Sequence, residues 1–554
     1  PDPTALAPDP PEVMDLLGSL VDKSLVVAAP SPDGQMRYRL LETVAEYAAE
    51  RLDEAGDRAT AERAHLVHYR ELARTSDPEL RGPRQRAAIE RIEVEYENLR
   101  TALRRATAAR DEHEALCLVV SLSWYWQMRE LRAESRQWAT AAAELGPDPF
   151  AEPVRPVPPL FERCIDAPPP MPPEQLWEAR RGVRLIQLAS EDHSAGGWAS
   201  DETKARMRRI IAAYRPGLPQ TCRSPGALWI YVVLVSGDLC DLRSLLDATV
   251  DACRRYGYRW ELAGALHMRA WVLANRTDWA GSAPRDAAEA LALFQELGDN
   301  WGAAEALSAS GEAHERLGEY ARAGADFSAA IELSEQLGAP SQVAVLKARY
   351  ASTLLESGER PERGEAILRE VIAQQGRGSM DALPAARLYL TVWLGRTERT
   401  GEAREQAALL REQYPAGPVA FFEGLVRGLL GWLDNQDGRY GAALEHARAA
   451  LACCNEPLAV MVVPHLPAVH LTTAARALAG TAAADGSQDR ARVAARLLGA
   501  GDALLPPGHH PETNERENRE AAEAAVRAVI DDTAYEQAYA EGGDLQVGEA
   551  AALF

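Results

Sequence analysis

Two pairs of histidines have the spacing that comes closest to a metal site in this sequence. His65 and His68 in AERAHLVHYREL are three residues apart, so a helix would place both on one face. His509 and His510 are adjacent in LLPPGHHPETNE, a segment rich in proline and glycine. A zinc site needs at least one further protein ligand, and neither segment suggests one. We therefore interpret the first pair as part of a structural helix face and the second as part of a solvated loop.

The other residue patterns that support catalysis or nucleotide binding are missing from the sequence. No arrangement of Ser, His and Asp or of Cys and His is recognisable, and the seven cysteines include no CxxC pair. The motif GxxxxGK[ST], which binds phosphate through its backbone amides and magnesium through its hydroxyl, is absent. We therefore predict that the chain is not an enzyme and holds no metal or cofactor.

The composition predicts an acidic and mainly helical protein. Hydrophobic residues make up 47% and aromatic residues only 6%, with abundant alanine and leucine, which favours helices over sheets. The formal charge of -22 repels phosphate backbones, so we expect no direct DNA binding by this chain. The odd number of cysteines and the lack of a long apolar run or leader predict a cytoplasmic protein without a membrane contact.

Small residues recur at fixed places in SGEAHERLGEYARAGADFSAAIEL, residues 310–333. This spacing matches the tetratricopeptide pattern, a helix-turn-helix unit that repeats along a solenoid. We expect Gly311 where two helices cross closely, and Gly318 at the turn, where glycine adopts the positive φ that ends a helix. One face of the second helix then consists of Tyr320, Ala323, Phe327 and Ala330.

The same pattern recurs along the chain. In GLLGWLDNQDGRYGAALEHARAALACC the corresponding residues are Gly431, Gly438, Tyr440 and Ala443. The small residues at positions 270, 311, 351 and 431 are about 40 or 80 residues apart, which predicts a degenerate unit around residues 387–410. A tetratricopeptide unit has about 34 residues, so the longer period predicts longer helices and leaves an armadillo- or HEAT-like array as the alternative. Each of these arrays is an all-α helical solenoid.

The first 75 residues follow a different pattern. EVMDLLGSLVDKSL predicts an amphipathic helix, and VVAAPSPDGQMRYRL predicts two short strands joined by a Pro-Asp-Gly turn. LETVAEYAAERLDEAG predicts a second helix that ends at glycine. Helix, hairpin and helix in this order are typical of the second half of a winged-helix domain. The predicted fold class is therefore all-α, a tetratricopeptide-like solenoid preceded by a partial winged-helix segment with one short β-hairpin.

Proline divides the helical part of the chain. Nine prolines in residues 151–173 exclude a helix there and predict a loop or extended insertion. The predicted organisation is a winged-helix part (1–75), helical front repeats (76–150), a Pro-rich insertion (151–175), a tetratricopeptide array (176–480) and a C-terminal helical capping module (481–554).

Several aromatic and basic residues are candidates for contact with a ligand or partner. SWYWQMRELR places three aromatic residues in succession on a helix, where they cannot all face one core, so one ring is expected to be partly exposed. The most basic run, residues 203–215, is interpreted as a solvated helix face or as a contact for an acidic partner. For the other candidates the alternative to a groove contact is ordinary core packing. The candidates are Trp124, Trp126, Arg208, Arg209, Trp260, His267, Trp271 and His314.

Segments at both ends of the chain resemble a known family. These are LVDKSLVV (20–27), RYRLLETVAEYAAERL (37–52), EYENLRTALRRA (95–106), RVAARLLGAGDALL (492–505) and YEQAYAEGGDLQVGEAAALF (535–554). In this order they are similar to the part that follows the ATPase core in AfsR-like Streptomyces antibiotic regulatory proteins (large SARP regulators with a STAND ATPase) and in related LuxR-type regulators. The middle of the chain resembles them only through its repeats.

The resemblance implies that this chain is the sensor arm of a longer ATP-dependent transcriptional regulator. A DNA-binding domain and a P-loop ATPase, which holds ATP or ADP with magnesium, would precede the winged helix. The implied partners are that ATPase, an unidentified small molecule, peptide or protein in the solenoid groove, and other copies of the longer protein. The alternatives are a stand-alone tetratricopeptide adaptor for protein–protein interaction and a fragment of a LuxR-type ATPase regulator. The sequence shows no clear C-terminal helix-turn-helix, which counts against the LuxR-type arrangement.

Overall fold

The protein is almost entirely helical and contains one two-stranded antiparallel sheet in the residues that the structure describes. The computed structural model describes residues 10–30, 34, 36–191, 200–236, 242–274, 283–374, 382–413, 420–454, 463–505 and 509–554. The prediction of an all-α helical solenoid with one short β-hairpin is confirmed. Among these residues, no helix has both the length and the apolar character needed to cross a membrane.

The N-terminal part has the predicted order of elements. It consists of α1 (Pro10–Asp22), β1 (Val26–Pro30), β2 (Met36–Leu40) and α2 (Glu42–Ala55). The two strands pair with Val26 opposite Leu40 and with Pro30 opposite Met36. Gly56 ends α2 in the left-handed conformation, with φ of 75°, which glycine adopts without the steric cost of a Cβ atom.

A bundle of helices follows this hairpin segment. Its members are α3 (Arg58–Ser76), α4 (Gln85–Val94), α5 (Tyr96–Ala108), α6 (Glu112–Met128) and α7 (Arg132–Ala143). Helix α6 is buried on nearly all sides, which explains why its sequence is apolar all round and not amphipathic. We call these five helices the front bundle.

The proline-rich stretch lies next. Residues 144–172, all of them described, contain neither helix nor strand, because proline lacks the amide hydrogen that a helix interior requires. Four helices follow this stretch and lead into the array: α8 (Pro173–Ala189), α9 (Asp201–Ala213), α10 (Leu228–Ser236) and α11 (Leu242–Tyr256).

Six helical hairpins form the array. They are α12 (Arg259–Ala274) with α13 (Ala283–Leu297), α14 (Asn300–Arg316) with α15 (Tyr320–Gln336), α16 (Pro340–Ser357) with α17 (Pro361–Ala373), α18 (Ala382–Arg396) with α19 (Thr400–Gln413), α20 (Ala420–Gln436) with α21 (Tyr440–Cys453), and α22 (Leu466–Asp485) with α23 (Gln488–Leu504). The first helices begin about 40 residues apart, close to the predicted period. The hairpin of α18 and α19 occupies the place of the predicted degenerate unit.

Three further helices follow the array: α24 (Thr513–Arg527), α25 (Asp532–Gly543) and α26 (Val547–Ala551). Two glycines let α23 and α25 cross with their backbones in contact. A Cβ atom at Gly499 would lie 2.0 Å from the carbonyl oxygen of Tyr539, and one at Gly542 would lie 2.0 Å from that of Arg496. The residues at this crossing therefore have to be glycine.

The front bundle packs against hairpins that come much later in the sequence. Leu337 and Ala339, at the turn between α15 and α16, are buried in the same core as the bundle helices. The Arg86 guanidinium donates to the carbonyl oxygen of Gln336 at 3.2 Å. The turn between α15 and α16 therefore lies against the bundle that precedes the array.

Candidate binding surface

The small residues of the sequence pattern lie in the core between helices. A Cβ atom at Gly311 would lie 2.8 Å from the ring of Phe327, so glycine makes room for an aromatic side chain at this point. The close neighbour of Gly311 is thus this ring and not the backbone of the second helix. Ala304, Ala323, Phe327, Ala330 and Leu346 form one buried cluster that joins α14, α15 and α16.

The two turn glycines adopt the backbone conformation that the sequence suggests. Gly318 has a φ of 71° and Gly438 a φ of 70°, and each is followed two residues later by the tyrosine that begins the second helix, Tyr320 or Tyr440. Gly318 also has a close neighbour from the far end of the chain, because a Cβ atom there would lie 2.7 Å from the imidazole of His510.

The glycine in the first helix of the later unit is buried against backbone. A Cβ atom at Gly431 would lie 3.3 Å from the carbonyl oxygen of Ala443 and 3.2 Å from the Cβ atom of His446. Ala443 itself is fully buried. The glycine of the first helix therefore allows two helices to approach closely at Gly431, whereas it makes room for an aromatic ring at Gly311.

Two of the candidate tryptophans, 136 positions apart in sequence, meet in the structure. The rings of Trp124 and Trp260 contact edge to face with centroids 5.2 Å apart, and the Arg81 guanidinium lies within 5.5 Å of both centroids. The Trp260 indole donates to Asp299 at 2.6 Å, and the Gln85 amide donates to the same carboxylate at 3.0 Å. This cluster joins the front bundle to the array, so its role in the structure is packing.

The remaining candidates are not brought together with this cluster. Trp126 is 1% exposed, and its indole donates to the Tyr96 hydroxyl at 2.9 Å. The His314 imidazole is 2.8 Å from the Asp326 carboxylate within its own hairpin. The others are His267 and Trp271, half-buried on α12, and Arg208, exposed, and Arg209, half-buried, on α9.

A different set of residues forms the surface that the array encloses. The Thr513 amide at the start of α24 donates to the Glu356 carboxylate of α16 at 3.2 Å. Five positions later, the side-chain amide oxygen of Asn518 accepts from the Arg476 guanidinium of α22 at 3.0 Å. Five residues of helix span only about 7.5 Å. In a straight stack, three steps of about 10 Å would separate the first helices α16 and α22. The start of α24 therefore bridges first helices that are three places apart in the array, as expected where the first helices of a solenoid line a concave surface.

We call residues 509–517 the C-terminal segment. We call the side of the first helices α14, α16, α18 and α22 that faces this segment the concave surface. Charged groups dominate the contact between them. The Arg396 guanidinium is 2.9 Å from Glu356 and 3.8 Å from Glu517 of the segment. On the same surface, Arg349 pairs with Glu312 at 2.6 Å, and the Thr353 hydroxyl donates to the Glu315 carboxylate.

Carboxylates crowd one end of this contact. Burial raises the pKa of Glu315 to about 7, and the nearby carboxylates of Glu312 and Glu356 add to the rise, which Thr353 and Arg349 oppose. Burial, followed by the charges of Glu515, Glu356 and Glu315, also raises the pKa of Glu512. The Glu512 side chain keeps contact with solvent, which limits that rise. The C-terminal segment thus adds the Glu512 carboxylate to a surface that already carries those of Glu315 and Glu356.

Histidines lie beside these carboxylates. The rings of His465 and His509 stack with centroids 4.9 Å apart, and the His509 imidazole is 3.0 Å from the Glu515 carboxylate. Among the described residues, no group of three or more His, Cys, Asp or Glu side chains has the geometry to hold a metal ion. His65 and His68 instead pack against the ring of Tyr69.

Sequence reasoning did not single out the residues of the concave surface. A signal was present in the spacing of three first helices. In each, a charged residue lies four or five positions after a small buried residue: Glu315 after Gly311, Glu356 after Ala351 and Arg396 after Thr391. The contact of these side chains with Glu517 and Thr513 had no such signal. It joins residues up to 157 positions apart.

A second surface is apolar and lies at the N-terminal end. Met14 is 60% exposed, Leu16 59% and Tyr47 59%, and none of the residues of α2, all of them described, is buried. Most of the large hydrophobic side chains that are exposed in the described part of the chain lie between residues 13 and 47. The Arg37 guanidinium holds the hairpin to the front bundle through two hydrogen bonds to Glu95, of 2.9 and 3.1 Å. We call residues 13–47 the N-terminal surface.

Part of this chain is similar to known regulatory proteins. Two relatives, one from Mycobacterium bovis and one from Mycobacterium tuberculosis, are each described as a "Putative HTH-type transcriptional regulator" and are each 40% identical to this chain over 138 residues. The match covers 24% of this chain and 15% of the length of each relative. No protein-family model matches the chain. These likenesses connect a quarter of the chain with transcriptional regulators and support a regulatory role.

Proposed function

We propose that this chain is the sensor arm of an ATP-dependent transcriptional regulator of the type that controls antibiotic biosynthesis. A small molecule, peptide or protein binds the concave surface, and the arm then controls ATPase and DNA-binding domains that precede it in a longer protein. The relatives' description as transcriptional regulators supports the regulatory part of this proposal.

The exposed N-terminal surface is the observation that carries the proposal. An isolated soluble domain rarely leaves a group of large apolar side chains as open as Met14, Leu16 and Tyr47, and such a group marks a contact with another domain or protein. A helix that buries none of its residues, such as α2, needs a further partner to stabilise it. The domain that precedes residue 10 in the longer protein is the occupant we propose.

In this proposal the remaining activities belong to that preceding part. This sequence lacks GxxxxGK[ST], so ATP or ADP with magnesium binds the upstream ATPase and not this chain. The charge of -22 makes this chain a poor ligand for DNA, so promoter binding also belongs upstream. In this arrangement the arm acts in the cytoplasm and works by favouring one state of the ATPase.

The test uses the complete reading frame that contains this sequence. We expect that deletion of residues 82–554 changes the rate of ATP hydrolysis or the activation of the target promoter, because the ATPase loses the domain that biases it. The same two measurements on the intact protein provide the reference. If neither changes, the chain is not a sensor arm, and the stand-alone adaptor becomes the better explanation.

A pair of substitutions isolates the N-terminal surface. Replacing Leu16 and Tyr47 with glutamate in the intact protein should alter the same rates, since the charges would separate the arm from the preceding domain. Leu409→Glu is the matched control, because Leu409 is an exposed leucine (38%) on α19, far from that surface in sequence. An equal effect of the control would show that the response is not specific to residues 13–47.

A further inference from the structure

The turn that precedes α10 connects the proline-rich stretch with α11. We call this turn, residues 217–223, the joint turn. On one side, the Gln220 side-chain amide donates to the carbonyl oxygen of Pro158 at 2.7 Å. On the other side, the Tyr256 hydroxyl at the end of α11 donates to the carbonyl oxygen of Gly217 at 3.1 Å. The joint turn therefore links the proline-rich stretch to the helix that leads into the array.

Two cysteines lie together where the joint turn meets α11. Cys222 belongs to the joint turn and is 6% exposed, whereas Cys253 belongs to α11 and is fully buried. Together with Ala252 they form one small buried cluster. The sulfur of Cys222 lies 4.0 Å from the carbonyl oxygen of Thr249, which is about one helical turn before Cys253.

This carbonyl oxygen lies beside the side chain at position 253. A helical side chain leans toward the N-terminus, over the residue four positions earlier. In α21, for example, the Cys453 thiol donates to the carbonyl oxygen of Ala449 at 3.3 Å. The Cys222 thiol therefore reaches the same part of α11 that the Cys253 side chain covers.

The two thiols interact, and the interaction makes them chemically different. A hydrogen bond from Cys253 lowers the pKa of Cys222, although burial opposes this effect. The same hydrogen bond, followed by burial, raises the pKa of Cys253. Because the thiolate is the nucleophilic form of cysteine, Cys222 is the group that reacts first with an oxidant. Its slight exposure also makes it the more accessible of the two.

We propose that Cys222 and Cys253 form a reversible disulfide bond when the protein is exposed to hydrogen peroxide, and that this bond fixes the joint turn to α11. The Cys222 thiolate attacks one peroxide oxygen, which breaks the O–O bond, releases hydroxide and leaves a sulfenic acid. The Cys253 thiol then attacks the Cys222 sulfur, and its proton leaves with the displaced hydroxide as water. In total, two thiols and one peroxide give one disulfide and two waters. This modification is independent of the function proposed above.

The first test needs no substitution and uses the full chain. Trypsin cleaves between Cys222 and Cys240 and again between Cys240 and Cys253, so each of these cysteines lies on its own peptide. The protein is treated with hydrogen peroxide, its remaining thiols are alkylated in denaturant, and its peptides are analysed by mass spectrometry. We expect the peptides of Cys222 and Cys253 to be joined with the loss of two hydrogen atoms and to separate when dithiothreitol is added.

Cys164 is the matched control within the same molecule. Its side chain is 7% exposed, close to the value for Cys222, but no second thiol is among the groups that mainly shift its pKa. We expect Cys222 to lose its free thiol at least tenfold faster than Cys164. In the Cys253→Ser protein, oxidation of Cys222 should stop at the sulfenic acid, which dimedone traps. Circular dichroism confirms that this variant is folded.

Hydrogen exchange measures the effect of the bond on the joint turn. The amides of residues 217–223 should exchange at least threefold more slowly after oxidation, because the disulfide opposes local opening. Unchanged exchange would refute the effect on the joint turn. Three results would overturn the disulfide itself: two free thiols after oxidation, a link from either cysteine to Cys240, and equal rates of thiol loss at Cys222 and Cys164.

Discussion

Glu315 is a half-buried acid whose ionisation opposes folding. Its pKa in the folded protein is about 7, above the ordinary value of 4.5, because burial disfavours the charged form. The protonated carboxyl therefore contributes stability that is fully present below pH 4.5 and is lost as pH rises through 7. The charged groups around it are Glu312 on its own helix, Arg349 and Glu356 on α16, and Glu512 of the C-terminal segment.

We expect Glu315→Gln to raise the free energy of unfolding at pH 8 by up to about 3 kcal/mol, since a shift of one pKa unit corresponds to about 1.4 kcal/mol. Glutamine keeps an oxygen that accepts from the Thr353 hydroxyl. The gain should nearly disappear near pH 4, below the ordinary pKa of 4.5, where the natural carboxyl is protonated in the folded state and mostly protonated in the unfolded state. Denaturant unfolding at the two pH values measures this difference, and a gain of equal size at both would contradict it.

Glu365 is expected to show the opposite behaviour. Its carboxylate accepts from Arg399 at 2.9 and 2.7 Å, and it also accepts from the Trp393 indole at 2.9 Å. Mainly because of the Arg399 hydrogen bond, the pKa of Glu365 falls to about 2. The stability that the ionised form contributes is present above pH 4.5 and is lost as pH falls through 2.

We predict that Glu365→Gln lowers the free energy of unfolding at pH 7 by about 1–3 kcal/mol, since the loss of charge weakens these hydrogen bonds. The loss should become smaller as pH falls toward 2. Because Glu365→Gln and Glu315→Gln each remove one negative charge at pH 8, their opposite effects at that pH would show that local surroundings, and not net charge, decide the sign. Two effects of the same sign would refute this explanation.

At the scale of elements, the crossing of α23 and α25 is the most demanding contact. Gly499→Ala would place a methyl carbon 2.0 Å from the Tyr539 carbonyl oxygen, so the two helices would have to move apart. We expect a loss of about 3 kcal/mol in the free energy of unfolding, at the upper end of the usual cost of overpacking. Gly543→Ala, on the partner helix α25 of this crossing, is the matched control, because nothing lies within 4 Å of its new methyl group. A similar loss in both variants would show that the crossing is not the cause.

Local rules predicted the elements well. The spacing of small residues predicted helical hairpins with a period near 40 residues, and glycines such as Gly318 and Gly438 end first helices in the left-handed conformation, as expected. These features depend on residues close together in sequence. The winged-helix interpretation and the predicted domain boundaries stay predictions, since the order of helices alone does not test them.

Contacts between distant parts of the chain could not be predicted in this way. Gln85 and Asp299, which join the front bundle to the array, are separated by 214 positions. The curvature that brings α24 onto the concave surface results from small rotations between successive hairpins, and no single residue encodes that sum. For the same reason, the sequence named Trp124 and Trp260 as candidates for a groove or partner contact, with packing as the other interpretation, but gave no sign that their rings contact each other.

For the whole molecule, the N-terminal surface predicts how the isolated chain behaves in solution. Large apolar side chains that remain exposed favour association with any similar surface, including that of a second copy. We therefore expect the chain alone to self-associate with increasing concentration, as measured by analytical ultracentrifugation. Leu16→Glu should reduce this association with little change in thermal stability, because a side chain that is 59% exposed contributes little to folding. Leu409→Glu should leave the association unchanged. A monomer at all concentrations would show that residues 13–47 do not drive self-association. Their exposure would then no longer support a contact with a preceding domain.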